Sequence, residues 1–479
     1  MDQCSIRGTW TTEGGTLSAL SMKEFVGSYD VTPLWKWGLS MFGGSVSGWK
    51  PYGVPSEPVQ LASEQAHFLE TGVDSELPRM QWESSQDDSV TLVGQSTSGL
   101  LITKTLRVKQ SDPCVFTMDV SWTNTGTQAF SGSLWVGMHD VFDLKVGRYE
   151  NALRPIAHVA GDLEKPPTKL TKLNEEADVK EGEVDWFGVA DRYFAFVLLP
   201  KDASGSTLSF DRRLQGAQEL YGASLQQQAT LAPGDAHSAQ FELYVGPKDL
   251  DLLTSVDASL EDAVELGIFA LFGRVLLALL KVFEGLVHNW GLAIILLTLV
   301  VKGVFFPLTQ KSFKSSQAMQ AISPQLKEIR EKYKEQPEEL NKKMMQLFQE
   351  NKVNPLGGCL PMLIQMPVWF ALYSVLLSSV ELYHSEFLFL RDLSEPDPYC
   401  ILPAIVVVLM VVQQRFMPTG NMDPKQEKIM KMMPLLFGFF FFTFPSGLVL
   451  YIFVNMVLTI AQQWYIKQMH GSPAPVAVG

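Results

Sequence analysis

Between residues 289 and 467 the chain carries stretches too apolar to be left in water. Residues 289–309 hold a single charge, Lys302, in a run of about 20 residues, the length that crosses a bilayer. Residues 360–380 hold no charge, and 399–417 hold only Arg415, near their end. Residues 432–466 are apolar throughout, with Pro445, Ser446 and Gly447 near the middle, which reads as a tight hairpin of two spans. Backbone polar groups in lipid must be satisfied within the segment, so such runs are helices. The pattern predicts five transmembrane helices, over 289–309, 357–380, 399–417, 432–446 and 447–467.

The 479 residues include 38 basic and 51 acidic side chains, a net charge of −13. The average conceals a split. Residues 1–260 carry 20 basic and 34 acidic side chains, whereas 261–479 carry 18 and 17. Neither half has the excess of basic side chains that a nucleic-acid binder requires, so no nucleic-acid partner is expected. The loops orient the spans. Residues 310–356 have nine basic side chains, 381–398 have only Arg391, 418–431 have three, and Lys467 follows the last span. By the positive-inside rule 310–356, 418–431 and the tail 468–479 are cytoplasmic, and the acidic first half lies outside. Residues 1–22 contain Asp2, Arg7 and Glu13 and no apolar export signal, so an anchor upstream of residue 1 is expected.

The first half reads as strands. Phe116, Met118, Val120 and Trp122 alternate, as do Leu134, Val136 and Met138, and Phe241, Leu243 and Val245. Glycine, asparagine and proline punctuate them, which predicts an antiparallel β-sandwich over 1–260. His67, His139, His158 and His237 lack metal-ligand spacing, and no nucleophile motif or phosphate loop occurs. The chain therefore reads as a non-enzyme without metal or cofactor. Asp140 and Asp143 beside His139 fit either a site or a polar strand end. Cys4 and Cys114 are candidates to pair in an oxidising compartment.

In 268–288, Arg274, Lys281, Glu284 and His288 fall on one helical face, so 261–288 reads as an interfacial amphipathic helix rather than a span. In 310–356, Ser323 and Pro324 read as a cap and first helical position, with Leu326, Ile329 and Tyr333 at helical spacing. Pro337 opens a second helix bearing Leu340, Met344, Leu347 and Phe348. Together they predict a cytoplasmic helical hairpin. Met344 suits either varied apolar partners or core filling.

Lys302 stands about six residues, roughly 9 Å, from the inner end of its span. A lysine near a helix centre costs about 2.5–3.5 kcal/mol on insertion scales. It either snorkels to the interface or lines a water-filled cavity open to the cytoplasm. Thr298 shares its face, and Gln365, Gln413, Thr443 and Asn455 on other spans are candidates to line the same cavity, with Gln414, Arg415, Gln462 and Gln463 near span ends. No chain of carboxylates crosses the spans. A solute transporter with a sugar-binding outer domain is the alternative reading, although no internal repeat supports it.

Residues 289–467 closely resemble the YidC family of membrane protein insertases. The resemblance rests on Asn289 to Gly291, Pro307 to Thr309, Val353 to Cys359, Leu363 to Pro367 and Ser379 to Leu382. It continues through Asp397 to Tyr399, Met433 and Pro434, and Phe444 to Tyr451. The first half resembles the family's periplasmic domain more weakly, through Tyr193 to Ala195 and Tyr244 to Pro247. The resemblance implies a multi-pass protein of the bacterial inner membrane, with 381–398 as a periplasmic loop. It implies an N-terminal anchor span, a sandwich similar to sugar-binding sandwiches, and a hydrophilic groove open to cytoplasm and lipid. It places Lys302 where the family usually has Arg, and Tyr451 at the groove, followed by Ile452 where a second aromatic is common. Nascent membrane proteins are the implied clients. The Sec translocon, the lipid bilayer and, as a candidate, the ribosome are the implied partners.

Overall fold

The computed structural model describes residues 6–10, 17–26, 58–60, 67–86, 89–109, 112, 114–141, 153–166, 173, 177–215, 218–334, 336–351, 353, 360–414 and 424–470. The chain divides into a β-rich unit that runs to Glu265 and a helical unit from Leu266 onward.

The β-rich unit is built from two antiparallel sheets. One has the order β1 (Ile6–Trp10), β2 (Leu17–Val26), β4 (His67–Val73), β9 (Phe130–Val141), β16 (Gln218–Leu231), β15 (Ser206–Gln215), β12 (Asp178–Lys180), with β3 (Pro58–Gln60) against β2. The other runs β11 (Asp162–Glu164), β10 (Arg154–Val159), β13 (Val184–Ala190), β14 (Phe194–Pro200), β17 (Ala236–Pro247), β8 (Val115–Asn124), β7 (Leu100–Val108), β6 (Ser89–Gln95), β5 (Met80–Gln86). In β8 the expected alternation holds for Met118, Val120 and Trp122, which are buried, but not for Phe116, which is half-buried beside a buried Val115. In β9 it fails as a one-face rule. Leu134, Trp135, Val136, Met138 and His139 are all buried, because this central strand is covered on both sides. Cys114 is disulfide-bonded; Cys4, its expected partner, lies outside the described residues.

Residues 250–265 pack on this unit rather than opening the next. Asp249 caps α1 (Leu250–Val256) by accepting from Asp251 N and Leu252 N. A 3-10 turn over Ala258–Ala263 then buries Leu260 and Ala263. The amphipathic helix expected over 261–288 therefore starts later, as α2 (Ala270–Val287), after Gly267 adopts the left-handed conformation at φ 71°. Its exposed face is apolar, with Leu271, Phe272, Val275, Val282 and Leu286.

The helical unit continues with α3 (Trp290–Ala321), α4 (Ser323–Lys332), α5 (Pro337–Glu350), α6 (Leu360–Ser378), α7 (Ile401–Gln414), α8 (Pro424–Phe441) and α9 (Ser446–His470). Among the described residues two helices are long and apolar enough to cross a membrane, Trp290–Met319 and Ser446–Ile466. The apolar segments Gln365–Ser378, Ile401–Gln414 and Met432–Phe441 are shorter. α3 runs well past residue 309, since nothing in 310–321 breaks a helix. Ser323 is not a cap. It is already helical, the N-cap position falls to Ile322 without a side-chain bond, and Pro324 takes the first turn as expected. The polar end of α3 packs with the next two helices through Met319, Ile322, Leu326 and Leu347. Met344 packs half-buried against this cluster, while its neighbour Met345 is exposed.

His139 is the largest departure from expectation in the β-rich unit. It is no polar strand end but a buried hub. Its Nδ1 stands 2.9 Å from Glu70 Oε2 and its Nε2 2.5 Å from Asp211 Oδ1. Arg213 approaches both carboxylates, at 3.2 and 3.5 Å, and lies 3.6 Å over the Trp135 ring. Gly222 makes room: a Cβ there would stand 2.5 Å from His139 Cδ2. Burial alone would lower the His139 pKa, but the Asp211 and Glu70 carboxylates, opposed by Arg213, raise it. Burial would raise the Asp211 pKa, but His139, Arg213 and Ser224 hold it below its ordinary value. The histidine contribution is complete below its ordinary 6.5 and fades as pH rises through the raised value. The aspartate contribution is complete above its ordinary 3.8 and fades as pH falls through the lowered value. His139→Gln should destabilise the β-rich unit by roughly 3 kcal/mol. The difference from wild type should be greatest between about pH 4 and 6.5. Hydrogen exchange of the β9 and β15 amides in the full chain checks this, and a pH-independent difference would count against the pair.

Candidate functional site

Helices α3 and α9 pack side by side and run in the same direction. A Cβ on Gly447, in the first turn of α9, would lie 3.4 Å from Ile294 Cδ1 near the start of α3. Further along both helices, Lys302 Nζ donates to Thr459 Oγ1 at 2.7 Å. Further still, Gln462 Nε2 donates to Thr309 Oγ1 at 2.9 Å. The apolar start of this seam belongs to a core of Ile294, Leu297, Leu448 and Tyr451. Polar groups gather toward its other end.

Lys302 is half-buried, and its partner here is a hydroxyl; no ion pair to it occurs among the described residues. Thr298, one turn before, is fully buried and donates to Ile294 O at 2.7 Å, so only its lone pairs remain to accept. Thr459 donates to Asn455 O at 2.6 Å. The side-chain oxygens of Asn455 and Gln463 are buried without a hydrogen-bond partner among the described residues. Such acceptors are uncommon in a dry core, where each costs about 1–3 kcal/mol.

The other expected residues distribute unevenly. Tyr451 is buried on α9 with no hydrogen-bond partner for its hydroxyl among the described residues, and Gln365 is half-buried on α6. Gln413 sits half-buried near the end of α7, without a hydrogen bond to the seam among the described residues. Thr443 does not join it: its hydroxyl donates to Phe440 O at 2.8 Å, in the turn before α9. Tyr333 ends α4 and Pro337 begins α5, away from these residues in sequence and structure. Thr459 and Thr309 are the seam residues that spacing did not single out. The signal was present, since Asn455, Thr459 and Gln462 follow one another at helical intervals.

The start of the seam is capped by residues 381–398. Ser446 Oγ donates to Asp392 O at 2.7 Å and Glu395 O at 2.8 Å. Ser446 N donates to Glu395 O and Gly447 N to Leu393 O, both at 2.8 Å. These bonds satisfy amides that a helix N-terminus leaves open. At α3, Asn289 Oδ1 accepts from Leu292 N at 3.0 Å, and its Nδ2 donates to Glu386 O at 3.2 Å. The Phe387 ring lies directly on Gly291, where any Cβ would collide with it. Asp397 accepts from Tyr399 N and Leu402 N, which sets the start of α7. Lys281 of α2 pairs with Glu381 at 3.1 Å. Burial raises the Asp392 pKa, against the hydrogen bonds from Ser394 and the charge of His384. The sequence patterns Asn289-Trp290-Gly291 and Pro445-Ser446-Gly447 are thus two halves of one closure. Gly291→Val should destabilise the helical unit by about 1–3 kcal/mol through overpacking. It should also raise hydrogen exchange across 381–398; unchanged protection there would show that the ring does not depend on the gap.

The geometry can be set beside known proteins. The family model for the 60Kd inner membrane protein matches residues 282–472, and that for the YidC periplasmic domain matches 53–279. The membrane protein insertase YidC of Geobacter metallireducens is 46% identical over 284 residues, covering 59% of this chain and 52% of the relative. That of Geotalea daltonii is 40% identical over 351 residues, covering 72% and 64%. The chain thus spans between about half and two thirds of the length of these relatives. A solved structure of an active YidC insertase, with its first transmembrane domain resolved, aligns at a TM-score of 0.38 and 18% identity, over 96% of this chain and 90% of the other. With its helical half matched by one model and its β-rich half by the other, the chain belongs to the YidC family of inner membrane proteins with a periplasmic domain.

Proposed function

We propose that this chain inserts client membrane proteins into the lipid bilayer, through the polar seam between α3 and α9. The observation that carries the reading is Lys302, a cation held among apolar helices by one hydroxyl, with no carboxylate against it among the described residues. The unpartnered oxygens of Asn455 and Gln463 support a seam that holds water or a client's polar groups.

In this reading α3, α6, α7, α8 and α9 are five spans. The shared direction of α3 and α9 supports placing both of their ends on one side. That side is cytoplasmic by the basic residues of 310–356 and Lys467. The 381–398 cap then faces the periplasm together with the β-rich unit, and α2 rests its exposed apolar face in the outer leaflet. α4 and α5 form the cytoplasmic hairpin that meets clients, with Tyr333 and Pro337 at its bend. Gln365 and Gln413 extend the polar lining from the other spans.

A client's hydrophilic terminus or short loop enters from the cytoplasm. At an effective dielectric near 20, a carboxylate about 4 Å from the ammonium gains roughly 4 kcal/mol. That matches the scale of placing the lysine there, about 2.5–3.5 kcal/mol, so an acidic segment is drawn in where a lone charge would be excluded. The closed outer end leaves only a short hydrocarbon path to cross. The client's apolar helix then partitions into lipid, releasing about 25 cal/mol per Å² of apolar surface removed from water. Burial of the client drives this step, so no nucleotide is required. The Sec translocon and the ribosome are the partners this role would bring alongside.

The test uses liposomes containing only this protein, with any natural N-terminal anchor in place. A small single-span client with an acidic translocated segment should insert. Lys302→Glu should slow its insertion tenfold or more, the effect of about 1.4 kcal/mol on the barrier. Lys302→Arg should be tolerated. Normal insertion by Lys302→Glu would refute the charge-attraction mechanism, and solute uptake without client insertion would favour a transporter.

A further inference from the structure

The hydroxyl of Thr459 has one proton, and the geometry commits it. Thr459 Oγ1 donates to Asn455 O, one turn earlier in α9, at 2.6 Å. Toward α3 it is therefore an acceptor only. There it meets Lys302 Nζ at 2.7 Å. An ammonium has three donors, so one is held and two remain for other acceptors. A lysine carries four rotatable methylenes and, unheld, extends its head toward water. Nothing else among the described residues ties the Lys302 head group down, whereas the Thr459 hydroxyl is itself fixed to a helix backbone. Asn455 presents a second, unpartnered oxygen on the same helix face.

We propose that Thr459 is the positioning residue for Lys302. Its acceptor-only hydroxyl keeps the ammonium inside the seam, with two donors directed to a client carboxylate, and so sets the preference for clients whose translocated segments carry Asp or Glu. The inference rests on the insertase reading above and adds the residue that confers selectivity. A single acceptor suffices to aim a point charge, for which a bidentate fork is not required.

The test is the ratio of insertion of two clients that differ only in an acidic or neutral translocated segment, in liposomes holding the full chain. Thr459→Val removes the acceptor and keeps the branched shape. It should lower the acidic-to-neutral ratio by about fivefold or more, as for loss of one hydrogen bond to a charge. Thr459→Ser should retain the wild-type ratio. Lys302→Ala, run in parallel, separates the two levels of the argument. If Lys302→Ala leaves the ratio unchanged, the insertase charge mechanism fails, and the inference with it. If Lys302→Ala lowers the ratio and Thr459→Val does not, the positioning role alone is overturned. It is equally overturned if Thr459→Val depresses both clients alike, which a packing role predicts, or if Thr459→Ser behaves as Thr459→Val.

Discussion

A lysine with one hydroxyl partner among apolar helices is the constraint around which the helical unit is arranged. The charge must be solvated by something. Thr459 supplies one acceptor, and Thr298, Asn455 and Gln463 keep the surroundings polar. The same seam is apolar at its start, where Ile294 meets the first turn of α9. The site is thus graded from a sealed apolar end to a polar one, and the direction shared by α3 and α9 follows from that pairing.

The two units handle buried charge in opposite ways. In the β-rich unit His139 and Arg213 face Glu70 and Asp211, so two cationic groups meet two carboxylates within hydrogen-bonding reach. Lys104 sits fully buried with its ammonium on Leu69 O, and burial lowers its pKa to about 7, opposed by Glu70. Such pairing compensates the buried charges of this unit. Lys302 has no carboxylate partner among the described residues, which suits the proposed role of a group whose counterion arrives from outside the chain.

Much of this was legible in the residues. The span-length runs, the acidic-to-neutral charge split and Lys302 all lie in plain sequence, because hydropathy and charge act locally. The family patterns were legible as patterns but not as mechanics. Gly291 is needed because Phe387 lies on it, and Ser446 because Asp392 and Glu395 offer carbonyls. Those contacts join segments about 50 to 100 residues apart, beyond any local rule. The sequence leaves His139 between a site and a polar strand end because its partners, Glu70 and Asp211, come from two other strands. Thr443 looked like a lining residue by composition, yet a threonine near a helix end bonds its own backbone readily. The helix expected from 261 starts only at Ala270 because Leu260 and Ala263 are buried in a 3-10 turn that belongs to the β-rich unit.

The central claim is that the polar end of the α3–α9 seam holds water while its capped end does not. The direct measurement is thiol labelling of single cysteines by a charged, membrane-impermeant reagent in sealed vesicles, applied from the cytoplasmic face. Asn455→Cys should react readily, and Ile294→Cys, beside Gly447, should stay protected. Protection of both positions, or labelling of Asn455→Cys from the outer face alone, would contradict a cytoplasm-facing hydrated groove.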